Sequence, residues 1–356
     1  MKKEMFVLAV LATLAACSKT EVTPVASNVN SEITFNVAPR TKALSQTQTD
    51  FDHNNVFVSY AYYLGHGKTW AANNSEAQMY IEGSTISYNG NLWKNETTSY
   101  YWPKDGGSLT FFAYSYNKKD MTVGDNSGFY CVWALGEDGQ YQGGINGHFD
   151  VATNKNVDFL VADIAADKTE NENNYAHTGV PTLFRHKLSM VNVAANLAED
   201  YANKKFILNS VKFTNLYHYA TYSQIPEMMA PGGNDFLPDQ VYAENVGFEV
   251  KSGELIAVPA EIKKGAGVED GQYIYIPQEF NDNSYIVITY TVETVVGNNV
   301  VKEECTKTVK VKDVFPKWEM GHRYTFNLTF SLNEIHWDPA VENWIDDKAG
   351  NITIDR

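Results

Sequence analysis

Apolar and polar positions alternate with a period of two along most of the chain, the signature of half-buried strands. In the stretch 31–39, SEITFNVAP, the residues Ile33, Phe35 and Val37 alternate with polar neighbours. Aromatic and β-branched runs follow at 54–64 (NNVFVSYAYYL), 108–116, 128–135, 156–164, 181–197 and 205–217. More lie at 272–280, 284–296, 305–315 and 322–335. Clusters such as KDGGS, EDGQ and APGGND separate them, and Gly297-Asn298 between two valine- and threonine-rich runs predicts a hairpin turn. No segment sustains a 3.6-residue period; residues 195–203 offer two helical turns at most. Many short strands without alternating helices predict an all-β chain of β-sandwiches rather than a parallel α/β sheet.

The pattern breaks in three places. Residues 5–16 are an apolar run behind Lys2 and Lys3, shorter than the ~20 residues that span a bilayer and suited to a signal-peptide core. The run closes on Leu14-Ala15-Ala16-Cys17, which resembles the lipobox of bacterial lipoproteins; Cys17 would be acylated, 1–16 removed, and 17–30 left as a polar tether. The second break is 41–52, polar and without period, directly after Pro39-Arg40. The third is the acidic, Asn-rich stretch 165–179, AADKTENENNYAHTG. Read as a solvated linker, it divides the chain into sandwich domains at 31–176 and 177–356, in keeping with a prior of ~150 residues per domain.

A formal net charge of −15 and a pI near 5.0 exclude nucleic acid and anionic membrane surfaces as natural partners. Beyond Cys17 only Cys131 and Cys305 remain, read as free thiols ahead of a disulfide. No HExxH, CxxC, P-loop or GxSxG motif occurs, so no cofactor or metal is expected and the chain does not read as an enzyme. His148 with Asp150, and His336 with Asp338, would share a strand face as a metal pair does; solvent-facing strand residues are the better reading. Trp70, Trp93 and Trp102, if exposed, would stack on sugar rings; core or interface positions are the better reading.

Five segments together resemble the fimbrillin family, the subunits of type V pili of some Gram-negative bacteria. They are YYWPKDGGSLTFFAYS (100–115), VDFLVAD (157–163), TLFRHKLSMVNV (182–193), WEMGHRYTFNLTF (318–330) and IHWDPAVENWIDD (335–347). The resemblance implies two transthyretin-like β-sandwich domains in tandem, export as an outer-membrane lipoprotein carrying palmitate, and residence in a cell-surface fimbrium. It also implies activation by an arginine-specific protease in the loop after the first strand, followed by donor-strand exchange with other pilin subunits. A host or bacterial surface ligand would be the adhesion target.

Onto this chain that scheme places Ile33, Phe35 and Val37 as the occluding strand and the cut between Arg40 and Thr41. The chain has four arginines. Arg185 and Arg323 fall within predicted strands and Arg356 closes the sequence, so Arg40 alone lies in a soft segment, with Lys42 a second choice. Residues 336–356 would serve as a donor tail through Val341, Trp344, Ile352 and Ile354, unless the tryptophan-containing end is itself the last strand. Tip and shaft positions both stay open. The competing reading is a surface lipoprotein that binds glycans through exposed aromatics and does not polymerise.

Overall fold

The computed structural model describes residues 31–37, 51–116, 130–135, 141–151, 157–224, 235–238, 249–251, 260–265, 268–332 and 335–343. Cys17, Arg40, Thr41, Lys42, Trp344, Ile352 and Ile354 lie outside the described residues.

The first half of the chain supplies β1 (Phe35–Val37), β2 (Phe57–Leu64), β3 (Gln78–Tyr88), β4 (Trp93–Lys94) and β5 (Ser108–Ser115). Then come β6 (Tyr130–Leu135), β7 (Tyr141–Asp150), β8 (Leu160–Ala162), β9 (Ala165–Lys168), β10 (Val180–Thr182) and β11 (Phe184–His186). Nine of these make one sheet, ordered β10-β1-β4-β3-β2-β5-β8-β11 with β9 beside β5. Its middle strands are buried on both faces. Phe57, Ala61, Phe111 and Ala113 point into a cluster that contains Ile33 and Phe35. Val58, Tyr60, Phe112 and Tyr114 point the other way, as strict alternation in a pleated strand requires. The Phe35 ring meets Phe57 and Phe111 edge-on at 5.5 and 5.7 Å, so the sheet curls until β1 lies over β2 and β5.

The other face is covered by β6, β7, β14 (Tyr219–Ser223) and β15 (Asp235–Pro238), a four-stranded sheet in the order β15-β14-β7-β6. Ala220 and Tyr222 of β14 join Ile145 and Phe149 in that core, so chain from the second half completes the first sandwich.

The second sandwich is built from β12 (Ser189–Leu197), β13 (Lys204–Thr214), β16 (Glu249–Lys251), β17 (Ala260–Ile262) and β18 (Val268–Tyr275). It continues through β19 (Gln278–Glu279), β20 (Tyr285–Val296), β21 (Asn299–Lys310), β22 (Lys317–Trp318), β23 (His322–Phe330) and β24 (Ile335–Asn343). Sheets β18-β12-β23-β24 and β16-β13-β20-β21 enclose Val191, Leu208, Phe213, Ile288 and Phe326. The expected hairpin is present: Val296 faces Asn299 across a turn in which Gly297 has φ +61°.

Three expectations change. The stretch 165–179 is not a linker: β9 pairs with β5, Tyr175 is buried, and the chain stays in the nine-stranded sheet through β10 and β11. The run 181–197, read as one strand, breaks at Lys187-Leu188, where the chain leaves one sandwich for the other. Arg185-His186-Lys187 is buried at this passage, with the Arg185 guanidinium donating twice to Asp163 at 2.7 Å and His186 Nδ1 2.9 Å from Asp158. Residues 195–203 form no helix; β12 ends at Leu197 and the Ala198 N–H donates to the Phe330 carbonyl at 2.9 Å. Strands β3 and β7 were not anticipated. Gly83 interrupts the first and Gly143, Gly144 and Gly147 the second, and glycine leaves no side chain to carry an alternation.

Candidate functional site

The segment 31–37 is paired on both sides and deep in apolar contact. Ile33 and Phe35 are 3% and 4% exposed, Val37 is half-buried and Asn36 faces out. Even Thr34 between them is buried. On one side β1 runs parallel to β10, with Phe35 opposite Val180; on the other it is antiparallel to β4, with Phe35 opposite Trp93. Ahead of β1 the chain pairs with 100–102. The Ile33 N–H donates to the Tyr100 carbonyl at 2.7 Å, and the Trp102 N–H donates to the Ser31 carbonyl at 3.0 Å. The segment is therefore an interior strand, not an edge.

Two polar clasps close its leading end. Lys94 Nζ lies 3.2 Å from Glu32 Oε2, and Ser99 Oγ donates to Oε1 of the same carboxylate at 2.7 Å. Ser31 Oγ donates to Glu170 at 2.5 Å, and Lys104 Nζ reaches the same carboxylate at 3.1 Å. The Ser31 hydroxyl first, and Lys104 after it, hold the Glu170 carboxyl below the usual carboxylate range.

Gly179 sets the closeness of β10. It has φ +78° and ψ 158°, a conformation open essentially to glycine alone, and a Cβ there would stand 2.7 Å from the Phe35 carbonyl carbon. The Val180 N–H then donates to the Thr34 carbonyl at 2.8 Å. Sequence reasoning missed Gly179, Lys94, Lys104 and Glu170. The only local signal was a glycine directly after a polar run and before Val180-Pro181.

Of the other residues singled out, Val341 is 51% exposed on β24, an edge strand paired along its whole length with β23. Residues 336–343, put forward as the start of a donor tail, thus complete a sheet of their own chain. Cys131 is buried and Cys305 half-buried, and both are free thiols. Asp150 lies 3.0 Å from His218 Nδ1. His336 and Asp338 stand on β24 opposite Thr329 and Asn327. No group of three His, Cys, Asp or Glu fit for a metal occurs among the described residues.

The tryptophans lie in the core, the better of the two readings. Trp70, Trp93 and Trp102 are 2%, 4% and 1% exposed. Trp93 and Trp102 belong to the Phe35 cluster, and Trp70 packs on Tyr62 and Phe112. An indole is large enough that a sandwich core takes it first. The glycan-binding reading that rested on exposed rings falls.

An all-β chain whose first described strand is a buried insert has the build of a structural subunit. Residues 41–344 match the family described as fimbrillin-like, and the chain belongs to that family of fimbrial subunits. It is 24% identical to the fimbrium subunit Fim1C of Phocaeicola vulgatus, over all of this chain and 99% of that one. Its fold is similar to that of a fimbrial protein from Bacteroides vulgatus, with TM-score 0.58, 18% identity, and 88% and 99% of the two chains covered. A putative cell adhesion protein from Bacteroides uniformis aligns with TM-score 0.44 and 14% identity over 88% and 98%.

Proposed function

We propose that this fimbrial subunit is exported as a lipoprotein acylated at Cys17, cut between Arg40 and Thr41, and joined to neighbouring subunits at the cell surface by donor-strand exchange. Its two sandwiches act as domains in tandem, with the change-over at Lys187 rather than at 176. The observation that carries the reading is the placement of segment 31–37, whose strand β1 is an interior one and whose Ile33 and Phe35 are buried, followed within a few residues by Arg40.

Losing 31–40 leaves β10 and β4 with unpaired backbone groups on both sides of an aromatic recess. Water satisfies the groups but not the recess, so an incoming strand is the stable filling. Ile33 and Phe35 each contribute ~1.5–3 kcal/mol of burial, which keeps the uncut chain closed. Arg185 and Arg323 are 1% and 9% exposed within strands, so neither competes with Arg40 for an arginine-specific protease.

Limited digestion of the purified chain with such a protease tests this. The expected result is a single new N-terminus at Thr41 and a nicked protein that exchanges its 31–40 segment for a labelled copy. A protein left intact at Arg40, or one that is cut and takes up no strand, would overturn the proposal.

A further inference from the structure

Strand β21 is a 12-residue edge: β20 pairs with it along its whole length, and no described strand lies on its other side. Residues 299–304 and 306–308 are exposed, Val300 and Val301 by 54% and 55%. The strand has no proline or glycine, and its register with β20 shows no bulge. A long, regular edge of this kind offers its outward N–H and C=O groups to another strand.

The hairpin turn fixes which groups those are. Val296 and Asn299 close a two-residue turn and so form a hydrogen-bonded pair, and bonded and non-bonded pairs alternate along an antiparallel ladder. Cys305, an even number of residues further on and opposite Tyr290, is again a bonded position, its own N–H and C=O turned toward β20. The outward groups belong to Val300, Lys302, Glu304, Thr306 and Thr308.

Charges on an edge ordinarily keep other strands away. On β21 they exclude every long symmetric register but one. Two copies of one edge meet antiparallel about a two-fold axis, so one residue lies opposite itself and the rest pair reciprocally. With the axis at 302, 303, 304 or 307, a lysine or a glutamate opposes its own copy. With the axis at 306, Lys302 opposes Lys310, and axes nearer either end shorten the pairing severely. Only the axis at Cys305 pairs residues 300–310 without opposing like charges. Glu303 then meets Lys307 twice, Val301 meets Val309, and Lys302 and Glu304 meet threonines. Opposite charges facing across strands stabilise a pair, and like charges destabilise it. Lys302 already pairs with Glu293 at 2.6 Å, whereas Glu303 and Lys307 make no ion pair among the described residues.

We infer that the β21 edge is a self-association surface: a second copy of this chain pairs antiparallel with it about a two-fold axis at Cys305, setting Glu303 against the partner's Lys307 and Lys307 against the partner's Glu303. Bonded within the hairpin, position 305 is non-bonded across the new interface, where facing Cα atoms stand ~4.5 Å apart. The two Cys305 thiols, each half-buried and free in its own chain, come within the ~4.4–6.8 Å Cα separation that a disulfide spans. Strand β21 belongs to a different sheet from β1, so this contact does not depend on strand exchange.

The test uses the full, uncut chain carrying Cys17→Ser, which leaves Cys305 as the reachable thiol because Cys131 is buried. Sedimentation over a concentration series should show a monomer–dimer equilibrium, and the mild thiol oxidant diamide should link the dimer through Cys305 of both copies, read by peptide mapping. Glu303→Lys and Lys307→Glu should each weaken dimerisation several-fold. An equal mixture of those two variants, or the double variant, should recover it, since either arrangement restores opposite charges at both contacts. Both side chains are exposed, so the fold should survive, checked by circular dichroism. A chain that stays monomeric at every concentration overturns the inference. A dimer indifferent to both charge reversals, or one that diamide does not link at Cys305, overturns the edge and its register. Cleavage at Arg40 plays no part in the experiment, so neither outcome touches the strand-exchange reading.

Discussion

The backbone of Gly179 lies so close to that of Phe35 that a methyl group on Gly179 would meet the Phe35 carbonyl carbon at 2.7 Å. This contact brings β10 alongside β1 and makes the occluding strand an interior one. Gly179→Ala combines a forbidden backbone conformation with a clash against main chain that cannot rotate away. Urea denaturation should show a loss of about 1–3 kcal/mol, and labelled 31–40 peptide should leave the nicked Gly179→Ala chain faster than the nicked native one.

Phe35 fills the recess between Phe57 and Phe111 while Val37 is half-exposed. Phe35→Ala should therefore cost about 3–5 kcal/mol, as truncations of a buried aromatic do, and Val37→Ala much less. Equal losses in chemical denaturation would mean that Phe35 does not anchor the strand.

The Glu170 carboxyl is depressed in the folded chain, so its clasp on Ser31 is present above the usual carboxylate range and is lost as pH falls through the folded value. Release of peptide 31–40 from the nicked protein should be faster at about pH 3 than at pH 7. Glu170→Gln should speed release at pH 7 and flatten that dependence, measured by the decay of a fluorescent label on the peptide.

Lys187 is buried at the passage between the sandwiches, and burial pulls its ammonium down to about 7, opposed by Asp163 and assisted by Arg185. The unfolded chain holds that proton up to a pKa of ~10.4. Between those values the unfolded state binds more protons, so stability should rise with pH by up to about 1.4 kcal/mol per unit. Lys187→Met should raise the urea midpoint more at pH 6 than at pH 10, and a uniform gain would count against a buried neutral amine.

Legibility followed the length scale of the interaction. Alternation at Ile33, Phe35 and Val37 and the hairpin at Gly297-Asn298 depend on neighbours in the chain, and both could be read directly. The glycine-interrupted strands β3 and β7 could not, because their partners rather than their own side chains hold them in place. The tryptophans were legible only as favouring the core, for a related reason. A sequence shows that Trp93 and Trp102 are large, but only packing decides whether a sheet covers them.

The sequence by itself determined an all-β chain, an apolar run at 5–16 just before Cys17, and a strand pattern followed by Arg40 in a segment with no apolar period. These are properties of residue type and spacing over a few positions. Only the tertiary structure decided that the strand is an interior one, that Lys94, Lys104 and Glu170 clasp its end, and that Gly179 admits its backbone. The three charged residues lie between 62 and 139 positions from the partners they bind, and chain folding alone brings such charges and such close backbones together.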